Sequence, residues 1–159
     1  MNKLSGGDSL RRIFMIAEYI TIFLCGAFAY GMIELSVRGR THITMGLLGG
    51  AALCLIHRLN SPEDSAFSLF IKMLFSAFCI TAAELFSGLI LNVKLGLGIW
   101  NYSRMPYDLC GQICPAFSLI WFSLSGIGML FDSAVRRCIF KRDKCCTSTA
   151  PTVAAPRTE

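Results

Sequence analysis

Charge is what this chain has least of. Asp, Glu, Lys and Arg make up 16% of its 159 residues, against about a quarter in a soluble domain. Histidine occurs only at His42 and His57, which rules out a histidine-rich metal site and leaves no metal expected. No G-x-x-x-x-G-K-[ST] string is present, so the chain cannot itself bind and hydrolyse ATP through a phosphate loop. H-E-x-x-H and G-x-S-x-G are also missing, and nothing else marks a nucleophile. The chain therefore reads as a non-enzyme without a cofactor.

What is present is apolar. Hydrophobic residues reach 54% and mean hydropathy is +0.58, too much to cover a water-facing surface, so the excess must face lipid. Four apolar segments predict an all-α, integral membrane four-helix bundle, with helices at about 13–35, 41–59, 66–91 and 109–131. A core of about 30 Å needs roughly 20 helical residues. The second segment is short and glycine-rich; it spans if extended through Thr41 and Leu59, and is re-entrant otherwise. Residues 1–12 form an N-terminal flank, 13–137 the transmembrane domain, and 138–159 a basic and then disordered tail rich in Thr, Ala and Pro.

The net charge of +5 lies in flanks rather than on one face, which excludes nucleic acid as a partner. Lys3, Arg11, Arg12, Arg58 and the basic residues from Arg136 onward outnumber Arg38, Arg40, Lys94 and Arg104 on the other side. This bias places both termini in the cytoplasm of a cell-membrane protein. The eight cysteines do not form a disulfide framework. Cys25, Cys54 and Cys79 lie in apolar runs as small hydrophobes, Cys138, Cys145 and Cys146 on the reducing side, and Cys110 and Cys114 one helical turn apart make a poor metal site. The stretch Asn60-Ser61-Pro62-Glu63-Asp64 supplies a helix start for the third segment. Loop three, from Asn92 to Asp108, carries Trp100, Tyr102 and Tyr107 and is expected to lie on the membrane surface.

Glu34 and Glu84 are the most informative positions. Both fall in the outer part of the membrane, where a lone carboxylate is costly unless paired or protonated. Arg38, Arg40, His42 and Arg104 are the candidate partners, and Glu34 to Arg38 is an i,i+4 pair if the helix continues. The residues read as a polar or proton- or cation-linked site, or else as a structural clamp. Glu18, five residues into the first helix near the inner interface, reads as a solvated or snorkelling residue. In the fourth helix Gly111, Cys114, Ser118, Trp121, Ser125, Gly128 and Asp132 recur at steps of three and four, a packing seam. Phe117, Ile120, Leu124 and Ile127 fall away from it toward lipid. Gly46 and Gly50 form a small-xxx-small pair for close helix approach or dimerisation. A faint echo between Ile33-Glu34-Leu35-Ser36 and Ala83-Glu84-Leu85-Phe86-Ser87 suggests a 2+2 pseudo-repeat.

Several strings carry a resemblance. Tyr30-Gly31-Met32-Ile33-Glu34 leads through Arg38-Gly39-Arg40-Thr41-His42-Ile43-Thr44-Met45 to Gly49-Gly50. Glu84, Gly88, Trp100-Asn101-Tyr102-Ser103, Gly111-Gln112-Ile113-Cys114 and Trp121 follow. Over roughly residues 20–137 this resembles the small bacterial membrane proteins described as putative ABC-transporter type IV, or ABC transporter permease, family. The resemblance implies a multi-pass permease-like subunit of a transport system. Its expected partners are the lipid bilayer, further copies of itself or other membrane subunits, and a separate ATPase where ATP drives it. Glu34, Arg38, Arg40, His42, Glu84, Trp100, Asn101, Tyr102 and Arg104 then form an outward-facing polar site. The alternative is a non-transport interaction or scaffold protein that binds a partner or lipid headgroups through its outer loops.

Overall fold

The computed structural model of the chain describes residues 5–61 and 67–138, with side chains from Ser9 onward. The tail from 139 and the predicted acidic helix start at Glu63 and Asp64 lie outside these residues. Among the described residues four α-helices follow one another: α1 (Ser5–Arg38), α2 (Ile43–Leu59), α3 (Leu69–Gly88) and α4 (Pro115–Cys138). Among the described residues there is no strand, only an isolated bridge between Leu109 and Ile113.

Local chemistry sets the helix ends. α1 stops at Arg38 because Gly39 takes φ +67° and returns its N–H to the Leu35 carbonyl at 2.9 Å, the glycine stop of a helix C-terminus. His42 caps α2, its side chain accepting from the Thr44 N–H. Ser68, not Asn60, holds the N-cap position of α3, without a side-chain capping bond. The Asn60 amide instead crosses to α4, where it donates to the Met129 carbonyl at 3.1 Å, Asp132 Oδ2 at 2.8 Å and Ser133 Oγ at 3.0 Å. At its far end α3 widens into a π-helical turn over Leu89–Lys94. α4 begins at Pro115, whose missing N–H costs nothing in the first turn.

The predicted start of the fourth helix at 109 is therefore corrected. Cys110 and Gly111 have φ +54° and +67°, which no helix admits. Gly111 thus leaves the predicted helical seam and serves a turn instead. A methyl group built on it would lie 2.8 Å from Ser103 Oγ. Gly111→Ala is expected to cost about 1–2 kcal/mol for the left-handed backbone alone, measurable as a lower thermal midpoint in detergent.

Side-chain contacts fix an up-down-up-down order. Glu18 near the start of α1 meets His57 near the end of α2, and His57 meets Asp132 near the end of α4. At the opposite end Glu84 of α3 meets Trp121 of α4. The end bearing the chain termini is called the terminal end below, and the other the loop end. α1 packs chiefly on α2 and α3 on α4, and the pairs meet largely through α2. This is an all-α membrane bundle. Ser9–Arg38, Leu69–Lys94 and Pro115–Cys138 are long and apolar enough to cross a bilayer, and large apolar side chains such as Leu24, Phe28, Phe78 and Leu130 point outward. α2, with 17 residues, reaches about 25 Å. It packs along α1 and bridges to α3 and α4.

Glycines set the α1–α2 crossing. A Cβ on Gly26 would come 2.6 Å from Leu53 Cβ, one on Gly49 2.3 Å from Tyr30 Cβ, and one on Gly50 2.8 Å from the Phe23 carbonyl. Gly46 is looser, with its nearest neighbour, the Ala27 carbonyl, at 3.7 Å. Gly46 and Gly50 thus both face α1, and Gly49, which sequence reasoning does not single out, joins Gly50 in the closest approach, against Gly26. On α4, Trp121, Ser125, Met129, Asp132 and Val135 are buried, and Gly128 faces Ile56 and Leu53 of α2. Ser118 takes a hydrogen bond from Thr81 of α3 at 3.4 Å. Phe117 departs from the lipid-facing prediction and stacks on Tyr102 with ring centroids 4.3 Å apart.

Candidate functional site: a polar network at the loop end

Glu84 is the centre of the network, with only 1% of its surface exposed. Trp121 Nε1 donates to its Oε2 at 2.8 Å and the Tyr102 hydroxyl to its Oε1 at 3.2 Å. Among the described residues no arginine or histidine hydrogen-bonds to it. Among the candidate cations Arg38 comes nearest, through Tyr102, whose hydroxyl accepts from Arg38 Nη2 at 3.4 Å. Arg38 also pairs with Glu34 at 3.1 Å, the predicted i,i+4 contact. Glu34 Oε2 accepts from Thr41 Oγ1 at 2.7 Å. One hydrogen-bonded chain therefore links α1, the long loop, α3 and α4.

The loop between α3 and α4 makes this possible by folding into the bundle mouth. Trp100 and Tyr102 are 3% and 6% exposed, so the expectation of a surface-lying loop is corrected for them; only Tyr107, at 89%, fits it. Each buried ring carries a polar atom that finds a partner inside. Trp100 Nε1 donates to the Gln112 carbonyl at 3.0 Å. Asn92 ties the loop down, donating to the Trp100 carbonyl at 3.0 Å and Gln112 Oε1 at 2.8 Å, and accepting from the Ile99 N–H at 2.7 Å. Gly88 is the floor, since a Cβ there would lie 2.5 Å from Gln112 Oε1. Burial, with the neighbouring Glu84 carboxylate adding to it, pushes the Tyr102 phenol well above its ordinary range. It therefore keeps the proton it donates.

Above the chain sits a polar cavity of about 160 Å³, lined by Glu34, Arg38, Arg40, Thr41 and His42 together with Leu97–Ile99. The predicted residues thus separate into groups. Glu34, Arg38, Tyr102 and Glu84 share the network, Arg40 and His42 line the cavity, and Trp100 braces the loop. Asn101 is exposed and accepts from the Ser103 N–H at 2.8 Å, a local turn bond. Arg104 is exposed and joins neither. Trp121, read as packing, is a direct donor to Glu84 and stacks on Tyr30 at 5.5 Å. The signal for it is its indole N–H, which needs a partner when buried. Asn92 and Gln112 are the other residues that sequence reasoning does not single out as site residues.

A buried carboxylate held only by neutral donors can take up a proton or attract a cation without first breaking an ion pair. A bundle of helices long and apolar enough to cross a bilayer defines a class, the multi-pass membrane proteins. The chain belongs to the family described as Putative ABC-transporter type IV, which matches residues 7–151. Family and apolar helices together make it a transport-related membrane protein. Comparison with the curated proteins returns no match, and neither does comparison with the solved structures.

Proposed function

We propose that the chain is a non-catalytic, permease-like membrane subunit of a transport system, with both termini in the cytoplasm and the Glu84 network facing the opposite compartment. The observation that carries this reading is the unbroken hydrogen-bonded chain from the polar cavity through Arg38 and Tyr102 to Glu84. A purely structural clamp needs no cavity at one end of it. Energy from ATP requires a separate ATPase, since the chain has no phosphate loop. Other membrane subunits, or further copies of the chain, complete the assembly.

The test is purification of the tagged full chain from its native membrane in nanodiscs, with mass spectrometry of what accompanies it. Enrichment of a P-loop ATPase or a larger permease is the expected result. Recovery of the chain alone as a defined oligomer would refute the ATP-driven subunit and leave a membrane interaction protein. Within a recovered complex, Glu84→Gln is expected to lower the ATP hydrolysis rate by about tenfold or more while the assembly stays intact. A charge-dependent hydrogen bond is worth about 1.5–3 kcal/mol, and each 1.4 kcal/mol is a factor of ten. An unchanged rate with lower thermal stability would make Glu84 a structural clamp.

A further inference from the structure

The glycines between α1 and α2 divide into two groups. Gly26, Gly49 and Gly50 bring the helices together. Gly31 and Gly46 do not. A Cβ built on Gly31 meets nothing within 4 Å, and one on Gly46 comes no closer than 3.7 Å, to the Ala27 carbonyl. Both glycines line an apolar groove of about 430 Å³, walled by Leu24, Phe28, Met32 and Leu47 among others. Those four side chains are exposed, so the groove opens on the outside of the bundle. It follows α1 from Leu35 back to Phe23, from the loop end toward the terminal end. At the helical rise that is a run of about 18 Å, close to one leaflet's share of an apolar core of about 30 Å.

The groove ends at charge. Thr41 and His42 line it and also line the polar cavity beside Glu34. Within that cavity Arg38 is matched by Glu34 at 3.1 Å, which leaves Arg40 as a surplus cation. Arg40 is exposed, and no described residue hydrogen-bonds or ion-pairs with it. His42 adds a donor. Its Nδ1 accepts the Thr44 N–H at 3.4 Å as the cap of α2, so the ring proton sits on Nε2. α2 also starts here, at Ile43, and the N-terminal end of a helix favours negative charge. One unmatched positive charge at the mouth of an apolar groove fits a ligand with one negative charge and an apolar tail.

We propose that the polar cavity and the α1–α2 groove together bind one anionic phospholipid from the leaflet at the loop end. Its phosphate lies against Arg40 and His42, and one acyl chain lies in the groove over Gly31 and Gly46. A guanidinium suits a phosphate because its fork of donors matches two oxygens at once. A free anion would use the cavity without the groove. A zwitterionic lipid would bring its own cation beside Arg40, where like charges repel. The proposal shares its cavity with the transport reading but stands without it, since it needs neither a path to Glu84 nor an ATPase.

The full chain in mild detergent is titrated with phosphatidylglycerol and with phosphatidylcholine of the same acyl chains, and bound lipid is counted by native mass spectrometry. One phosphatidylglycerol is expected to bind at least about tenfold more tightly than phosphatidylcholine, the effect of one charge-assisted contact. Arg40→Gln should abolish that preference and leave the thermal midpoint of the lipid-free chain unchanged, because Arg40 holds nothing within the protein. Gly31→Leu should weaken phosphatidylglycerol binding by filling the groove. Equal binding of the two lipids would mean annular lipid only and overturn the proposal. Displacement of phosphatidylglycerol by an equal concentration of inorganic phosphate would overturn it too, making the cavity a site for a free anion. Parent-like preference in Arg40→Gln, or parent-like binding in Gly31→Leu, would place the lipid elsewhere. Arg40→Gln is a surface change and decides the matter even if Gly31→Leu does not fold. The titration contains no ATPase, so its failure is distinct from a failure of the transport reading.

Discussion

Asp132→Leu is expected to remove most of the folded protein from detergent extracts. The carboxylate is fully buried and accepts from His57, Asn60 and Arg136. Without it, Arg136 is left as a cation facing an apolar layer and His57 loses the acceptor for its Nδ1 proton. Removing one member of a buried ion pair costs about 3–5 kcal/mol. That is a large share of the roughly 5–15 kcal/mol that holds a typical domain together. Part of the loss is recoverable, because Arg136 is 25% exposed at its side chain and its guanidinium can reach toward the headgroups. The double variant Asp132→Leu, Arg136→Leu should therefore be more stable than Asp132→Leu alone, since it leaves no orphaned charge. Fluorescence-detected size exclusion after graded heating compares the two. Equal midpoints would mean that the pair is not closed in the membrane.

This cluster also shows where sequence reasoning stops. Asp132 falls on the 3.5-residue seam of α4, and Arg136 follows it at i+4 on the same face, so half of the pair is legible. His57 is not. Its partners are Glu18, 39 positions upstream, and Asp132, 75 positions downstream, and no local period joins residues on three helices. Glu18 reads as solvated or snorkelling for the same reason, since only the return of α2 brings His57 beside it.

The loop end is legible in a different proportion. Glu34 and Arg38 lie one turn apart on one helix, so their contact follows from helical geometry. The depth of Glu84 follows from counting residues along α3. Its partners do not, because charge matching points to Arg38, Arg40, His42 or Arg104, whereas Tyr102 and Trp121 make the bonds. A neutral phenol and indole satisfy a carboxylate at lower desolvation cost than a guanidinium, and only the tertiary course of the long loop reveals that one is in reach. The seam of α4 likewise predicts Trp121, Ser125 and Asp132 as buried, yet overruns into Gly111. The period carries no information about φ; Pro115 does, and it marks the first turn.

Gly49→Ala should be destabilising and Gly46→Ala should not, although the two residues are three positions apart on the same helix. Alanine normally stabilises a helix interior by about 1 kcal/mol relative to glycine. At Gly46 that gain should appear, because the added methyl meets the Ala27 carbonyl at 3.7 Å, an ordinary contact. At Gly49 it would lie 2.3 Å from Tyr30 Cβ and 3.0 Å from the Gly26 carbonyl. Neither a side-chain root nor a backbone oxygen can swing aside, so α1 must move off α2. Overpacking of this kind costs about 1–3 kcal/mol. The displacement also reaches the site, because Tyr30 stacks on Trp121 and Trp121 donates to Glu84. Gly49→Ala is therefore expected to shift tryptophan emission as well as the thermal midpoint, while Gly46→Ala leaves the emission unchanged. Equal behaviour of the two variants would place the helix crossing elsewhere. A change at Gly49 in stability without one in emission would uncouple the crossing from the Glu84 network.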